Sequence, residues 1–408
     1  MNLYLFTENY PFGKGEDYVH NELKIIAKAF KTIYLIPCIN NDVSKQTRIL
    51  PTNCQIIKIP HPKKIQKIAL LVVNALMWIN LILSEIKDNK NRIKIIKKLT
   101  LYVDLSLINI FRYKQVKKHI YENKDEHNIC YSFWMNDGVT VLGLLKKNRK
   151  IDSSFCRVNG YDFREEMAPD GFIFPRQFQL KHISKVYAVS KHALKTIKYN
   201  YPKYAHKFHL SYLGVYEMGN NPPDPLEKFH VISCSNLTEI KRVDLIIEML
   251  AYLKHPIHWI HFGGGPDYQK LLTKAGDLPQ NITWEIRGTT PNQLILDHYK
   301  TTHVDLFIQL SLTEGGVPVS MQEAASFGIP LLGTNAGGIP EIINKNGWLV
   351  DVQASAAEIA KRVEDIILHK EKLLNKRINS KKHYAQNFNA ENNYKFFLKQ
   401  ILNQHGEK

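Results

Sequence analysis

Ser311-Leu-Thr-Glu-Gly-Gly-Val-Pro-Val-Ser-Met-Gln-Glu-Ala-Ala-Ser-Phe-Gly-Ile-Pro330 reads as a loop leading from a strand into a helix. The apolar run Leu306–Gln309 precedes it. Glu314 opens the loop, and Gly315 and Gly316 permit close backbone approach to a ligand. Pro318 suits the first helical position. The helix carries Glu323 and is predicted to stop near Gly328. Open parallel sheets bind ligands at the carboxyl ends of their strands. There the loop and helix start turn backbone amides toward a negative group. The two carboxylates can accept hydrogen bonds from sugar hydroxyls, so a diphosphate carrying a sugar at each end suits the arrangement. An ordinary joint with solvated glutamates is the alternative, and for an isolated Glu-Gly-Gly it is the better reading.

Outward from this joint the pattern repeats. Strands are predicted at His230–Cys234, His258–Phe262, Ile282–Ile286, Leu306–Gln309, Leu331–Gly333 and Trp348–Val350, with helical stretches between them. Such alternation predicts a parallel sheet covered on both faces. Upstream, Glu217 to Glu227 holds Pro222, Pro223 and Pro225, which continue neither a helix nor a central strand. Before that break, strands are predicted at 2–6, 32–38, 128–134, 154–158 and Lys185–Ser190, with a helix over Asp17–Phe30. The expected class is α/β with two doubly wound parallel-sheet domains. The chain has 408 residues, more than one core comfortably organises. We divide it at 1–216 and 217–384, with 385–408 as a C-terminal helix returning to the first domain.

Composition narrows the function classes. The five cysteines are scattered and show no paired spacing, which argues for a reducing, cytoplasmic setting. The start reads as a buried strand and lacks a signal-peptide pattern. The net charge of +17 is concentrated, with a net +10 between His61 and Ile120. That stripe, which includes Lys90, favours an anionic partner such as a membrane surface or a phosphorylated acceptor. Within it, Ile68–Leu83 is apolar apart from Asn74 and Asn80, short for a membrane span. A buried or membrane-surface helix is expected. Exposed aromatics do not interleave with the lysines and no nucleic-acid module is recognisable, so no nucleic-acid partner is expected.

The stretch Ser311–Pro330 resembles the donor-binding signature of glycosyltransferase family four: a glutamate, a Gly-rich loop, a second glutamate followed by alanine, then Gly-x-Pro. The resemblance continues through Thr334-Asn-Ala-Gly-Gly-Ile-Pro-Glu341 and Gly347-Trp-Leu-Val350. It implies a GT-B fold, two Rossmann-like domains facing across a cleft. It also implies retaining sugar transfer from a nucleotide-diphosphate sugar, UDP- or GDP-linked, in cell-surface polysaccharide synthesis. By the same resemblance Glu323 holds the ribose hydroxyls, Glu314 contacts the donor sugar, and amides near Gly315 and Gly316 meet sugar and phosphate. Eight residues separate the glutamates where the family usually has seven. The Pro318-to-Glu323 spacing is kept, which assigns the extra residue to the Gly-Gly turn.

Ser233-Cys-Ser-Asn-Leu-Thr-Glu-Ile-Lys-Arg-Val-Asp-Leu-Ile-Ile247 looks like the first strand and loop of that family's donor lobe. Lys241 stands where the family has a diphosphate-binding lysine. Asn236 replaces the usual arginine, and Arg242 is a neighbouring cation. A solvated Lys-Arg pair before a helix is the alternative. Thr7-Glu-Asn-Tyr-Pro-Phe-Gly-Lys-Gly-Glu16 resembles an opening loop of bacterial surface-polysaccharide enzymes, with Gly13 and Gly15 toward the donor phosphates; a structural turn reads equally well. Arg157-Val-Asn-Gly-Tyr-Asp162 places Asn159 where the subgroup has a donor-contacting histidine, and an amide cannot gain that charge. Arg157 and Asp162 form a candidate structural pair.

No His–carboxylate cluster has metal-ligand spacing and no Asp-x-Asp pair stands out, so neither metal nor cofactor is expected. Histidines 182, 192, 258 and 261 read as packing residues. The expected acceptor is a glycan or a polyprenyl-diphosphate-linked sugar, handled at the cytoplasmic face of a membrane. The competing readings are a nucleotide-sugar epimerase or phosphorylase on the same fold, an inactive relative, and a basic nucleic-acid- or membrane-binding protein.

Overall fold

The computed structural model describes residues 1–13, 16–38, 46–88, 92–123, 126–151, 153–223 and 228–403. Gly15, Lys90 and the end of the predicted linker, Asp224–Glu227, lie outside the described residues. The chain forms two compact units. One is Met1–Ser211 with Tyr394–Lys408, and the other is Tyr212–Asn393.

The first unit is built on seven parallel strands: β1 (Asn2–Thr7), β2 (Thr32–Pro37), β3 (Cys54–Ile56), β4 (Asn128–Ser132), β5 (Ser154–Val158), β6 (Lys185–Ala188) and β7 (Phe208–Leu210). Their order is β3-β2-β1-β4-β5-β6-β7. Leu3 and Leu5 sit opposite Ile33 and Leu35 on one side and Ile129 and Tyr131 on the other. All six residues of β1 are buried, as a central strand covered on both faces requires. The helix after β1, α1 (Asp17–Ile26), is extended by one 3₁₀ turn to Ala29.

Between β3 and β4 the chain makes four helices: α2 (Lys64–Val73), α3 (Ala75–Asp88), α4 (Arg92–Lys97) and α5 (Leu99–Glu122). The apolar run Ile68–Leu83 is therefore two helices, bent by 81° at Asn74. Leu70, Leu81 and the inner face of α5 join the core beside β1 and β4. The two edge strands β3 and β7 were not predicted; three residues each are too few to show a period.

The second unit has six parallel strands: β8 (Phe229–Cys234), β9 (Ile257–Phe262), β10 (Ile282–Ile286), β11 (Leu306–Gln309), β12 (Leu331–Thr334) and β13 (Gly347–Val350). They run in the order β10-β9-β8-β11-β12-β13. All six predicted strands of this half are present, within one residue at each end. The linker stretch is anchored here: Asn221 donates to the Tyr299 and Thr302 carbonyls and accepts from the Val304 amide. The last helix, Ala390–Leu402, starts in this unit and ends in the first, where Phe397 packs on Tyr131.

Candidate functional site

In the second unit the chain runs from β8 to β9 and β10 on one side, then crosses back from β10 to β11 on the other side of β8. The carboxyl ends of β8 and β11 thus flank a topological switch point, where doubly wound sheets bind ligands. Two sequence-predicted loops meet there. The short turn Glu239–Lys241 follows β8, and its Ile240 carbonyl accepts from the Leu312 amide, 2.8 Å. That bond ties the Lys241 loop to the Glu314 loop.

Lys241 Nζ donates to Glu314 Oε1 at 2.5 Å. The same oxygen accepts from Gln309 Nε2 at 2.6 Å, and Gln309 Oε1 accepts from Ser320 Oγ at 3.2 Å. Sequence reasoning missed Gln309; its signal is a buried amide closing an otherwise apolar strand. The Glu314 carboxylate is thereby oriented from two sides.

Gly337 and Gly338 lie against this loop. A Cβ on Gly337 would meet the Glu314 carbonyl oxygen at 1.9 Å, and one on Gly338 the Gly316 carbonyl oxygen at 2.2 Å. Gly337 also has φ +56°, a conformation glycine adopts without strain. Gly315 is buried and Gly316 partly exposed.

The helix begins at Val319, with Pro318 still extended at ψ 126°, one residue later than predicted. It ends at Ser326, and Gly328 takes φ +80° just beyond, as the predicted stop requires. Glu323 is only 8% exposed and accepts from Asn292 Nδ2 at 2.9 Å. Asn292 is a second residue that the sequence did not single out. Cys234, at the end of β8, senses both charges. Burial pushes its thiol up to about 12, with Glu323 adding to the rise and Lys241 opposing it. Lys241 thus contacts Glu314 directly, while Glu323 is held separately by Asn292.

Arg242 is a loop holder. Its backbone is left-handed at φ 49°, its Nε donates to the Leu310 carbonyl at 2.7 Å, and its Nη1 to the Val352 carbonyl at 2.8 Å. Asn236 stands exposed on the loop after β8. That loop is shaped by Gly263 and Gly265, where any Cβ would strike the Ser235 or Leu237 carbonyl oxygens. His261 is buried, paired with Ser233 Oγ at 2.8 Å, and burial lowers its pKa to about 4. It packs as a neutral ring, as expected.

In the first unit the switch point lies between β1 and β4. Gly13 turns with φ +67°, and nothing lies within 4 Å of where its Cβ would be. Glu16 is the unforeseen organiser of this loop. Its buried carboxylate accepts from the amides of Glu8, Asn9 and Tyr10, at 3.1, 2.8 and 2.6 Å, and from Trp134 Nε1 at 2.8 Å. Glu8 lies beside it and accepts from Asn136 Nδ2 at 3.3 Å. Burial first, then the Glu16 charge, raises the Glu8 carboxyl to about 7.

Asn159 is nearly buried, donating from Nδ2 to the Phe133 carbonyl at 2.9 Å. The expected Arg157–Asp162 pair does not form. Arg157 is fully buried against Glu22, Nε to Oε2 2.9 Å, and its guanidinium lies 3.9 Å from the Phe397 ring centre. Asp162 instead accepts from the amides of Met135, Asn159 and Gly160. Arg157 lies within β5, where Glu22 of α1 reaches it, whereas Asp162 lies in the turn beyond the strand, where free backbone amides bind it, so the two charges take separate partners. A cavity of about 440 Å³ opens next to Asn136, Asp137 and Asp162, with apolar walls that include Leu101, Leu105 and Phe172.

Among the described residues no cluster of three metal-ligating side chains occurs. No single helix among them is long and apolar enough to cross a membrane, although α2 and α3 pass that test as a bent pair.

Two parallel-sheet Rossmann-like units of this topology define the GT-B class of glycosyltransferase folds. Residues 219–384, the stretch that carries Lys241, Glu314 and Glu323, match the family of glycosyl transferases group 1. The putative colanic acid biosynthesis glycosyltransferase WcaL of Salmonella typhimurium is 33% identical over 150 residues, 34% of this chain and 36% of that protein. The amylovoran biosynthesis glycosyltransferase AmsK of Erwinia amylovora is 29% identical over 142 residues, 32% and 35% of the two chains. The aligned stretch thus spans about a third of these curated relatives. In fold, the likeness covers the whole chain. Anabaena Alr3699/HepE, solved in complex with UDP, superposes with a TM-score of 0.66 at 15% identity over 98% of this chain and 99% of that one. WaaG, a glycosyltransferase involved in lipopolysaccharide biosynthesis, superposes at 0.64 and 13% identity, over 98% and 99%.

Proposed function

We propose that the chain is a retaining, metal-independent glycosyltransferase of cell-surface polysaccharide synthesis. It takes a sugar from a UDP- or GDP-linked donor and passes it to a glycan, in particular one carried on a polyprenyl diphosphate at the cytoplasmic face of a membrane. The observation that carries this reading is the Lys241–Glu314 contact beside the buried Glu323 at the β8/β11 switch point.

In this reading Glu323, oriented by Asn292, binds the ribose hydroxyls. Glu314, held by Gln309 and Lys241, faces the donor sugar, and the amides of the Gly315–Gly316 turn meet the phosphate. A departing nucleoside diphosphate gains negative charge. A preorganised cation stabilises that charge more in the transition state than in the ground state, which accelerates transfer. Lys241 supplies it, while Arg242 fixes the loop and Asn236 adds a neutral contact. Sugar transfer passes through an oxocarbenium-like state, as glycoside hydrolysis does, and no side chain is assigned as a covalent nucleophile. The leaving phosphate takes the acceptor proton. The acceptor side rests on the first-unit cavity, whose apolar walls suit a hydrocarbon chain and whose carboxylates can accept from sugar hydroxyls.

A thermal-shift panel of UDP, GDP, ADP, CMP and their sugar conjugates tests the donor reading. One nucleotide family should raise the midpoint of the wild type and leave Glu323→Ala and Lys241→Ala unmoved. No response from the folded wild type to any nucleotide overturns it.

A further inference from the structure

The first-unit cavity has an aromatic wall that nothing in the core requires. Tyr161, in the turn after β5, lines the cavity and is 46% exposed. One face of its ring lies on Trp134, with centroids 5.2 Å apart and planes inclined by 28°. Trp134 is itself held from every side. It is buried, its Nε1 donates to Glu16 Oε1 at 2.8 Å, and it meets Phe133 and Tyr18 edge-on. Tyr18 in turn stacks on Phe133 at 5.4 Å. The turn that carries Tyr161 is pinned as well, because the buried Asp162 carboxylate accepts from the amides of Met135, Asn159 and Gly160. A ring seated on a fixed tryptophan keeps one free face, in an orientation set before any ligand arrives.

We propose that the Tyr161 ring is the platform on which a neutral pyranose, the terminal sugar of the acceptor, stacks. That this sugar belongs to an acceptor rests on the transferase reading above; that the cavity takes a sugar ring does not. A pyranose carries its hydroxyls around its rim and C–H groups on its faces. Laid on a tyrosine, it buries both apolar surfaces and sets weakly positive C–H groups against the negative face of the ring. The groups beside Tyr161 suit the polar rim. Asp137 lines the same cavity with its side chain 34% exposed, and its carboxylate is oriented by Asn109 Nδ2 at 3.1 Å and Arg112 Nη1 at 2.7 Å. The Asn136 side chain is fixed between the Gly138 amide and Glu8. A carboxylate only accepts, so the matching ligand groups are hydroxyl donors. A uronate or phosphorylated ring would set its charge against Asp137, which selects a neutral one. An aromatic face with a few oriented polar groups is the usual make-up of a small-molecule site, and the volume of about 440 Å³ leaves Leu101, Leu105 and Phe172 for an apolar aglycone.

The probes are the octyl glycosides of glucose, galactose and mannose, each below its micelle-forming concentration. Octanoyl-N-methylglucamide is the control, since it has a similar tail and similar hydroxyls but an open-chain head with no ring face. In saturation-transfer NMR with the full chain, at least one ring glycoside should bind about 5-fold or more tightly than the control, with transfer strongest at its ring C–H protons. Tyr161→Phe keeps the aromatic face and should bind as the wild type does. Tyr161→Leu keeps apolar bulk without a face and should lose about 5–10-fold. Tyr161 is nearly half exposed, so both variants should keep the wild-type thermal midpoint. Absence of binding by every ring glycoside, equal affinity for ring and open-chain heads, or wild-type affinity in Tyr161→Leu overturns the platform. Nucleotide-induced stabilisation, measured on the same samples, separates this from the donor reading. If no nucleotide stabilises the wild type while ring glycosides bind through Tyr161, the transferase reading falls and the sugar platform stands.

Discussion

Lys241 Nζ and Glu314 Oε1 lie 2.5 Å apart although 73 positions separate them in the chain. Each limits where the other can go, and the pair is largely shielded, with side-chain exposures of 24% and 13%. If Lys241 meets the leaving diphosphate, its loss should act on the chemical step. Lys241→Ala is expected to lower kcat by about 10²–10³-fold, the size of losing one transition-state donor. Steady-state transfer assays separate this from a rise in KM alone, which would make Lys241 a ground-state binder.

The Gly337 backbone touches the Glu314 carbonyl, so the glutamate's position depends on a missing side chain. Gly337→Ala should both strain a positive-φ residue and push the Glu314 loop away. We expect about 1–3 kcal/mol lost in chemical denaturation together with loss of nucleotide-induced stabilisation. Wild-type nucleotide binding in this variant would detach the Gly337 contact from the donor pocket.

Glu8 makes a pH prediction. Its carboxyl is raised to about 7, by burial and then by Glu16, so the folded state holds a proton that the unfolded state releases near pH 4. The associated stabilisation is complete below the unfolded pKa. It is lost as pH rises through about 7, because the ionised group must then be kept half-buried beside Glu16. Glu8→Gln should be indifferent to that change. The variant is expected to gain about 1–3 kcal/mol over the wild type at pH 8 and little at pH 4.5. Parallel stability curves across that range would place the Glu8 titration elsewhere.

Arg157 and Glu22 form a buried ion pair with exposures of 0% and 2%. Arg157→Met leaves the Glu22 charge without its cation and should cost about 3–5 kcal/mol in urea unfolding. Arg157→Met with Glu22→Leu removes both charges and should recover most of that loss. Similar stabilities for the single and double variants would show that the charge pair is not what the single change disturbs.

Much of the second unit was legible because its signals are local. Strand apolarity, the Gly328 stop and the spacing from Pro318 to Glu323 are properties of neighbouring residues, and the strands formed where those residues placed them. Pro318 itself stayed extended, since a proline satisfies the last non-helical position as readily as the first helical one. The partners of the site residues were not legible. Gln309, Asn292 and Glu16 carry no motif, and their roles depend on which carboxylate or amide the fold brings to them. The Arg157–Asp162 expectation failed for the same reason: proximity in sequence does not choose a partner, and the fold brings Glu22 to Arg157 inside β5 and backbone amides to Asp162 in the turn beyond it.

By itself, then, the sequence determined the alternation of strands and helices, the two-sheet class and the stretch that carries the donor signature, because backbone propensity and apolar periodicity act over a few residues. Only the tertiary structure decided that Lys241 meets Glu314, that Glu22 rather than Asp162 neutralises Arg157, and that the outer stripe of α2 and α3 stays in solvent. Burial and charge pairing depend on distance through space, and helices that are apolar all round do not declare in sequence which side the core will take.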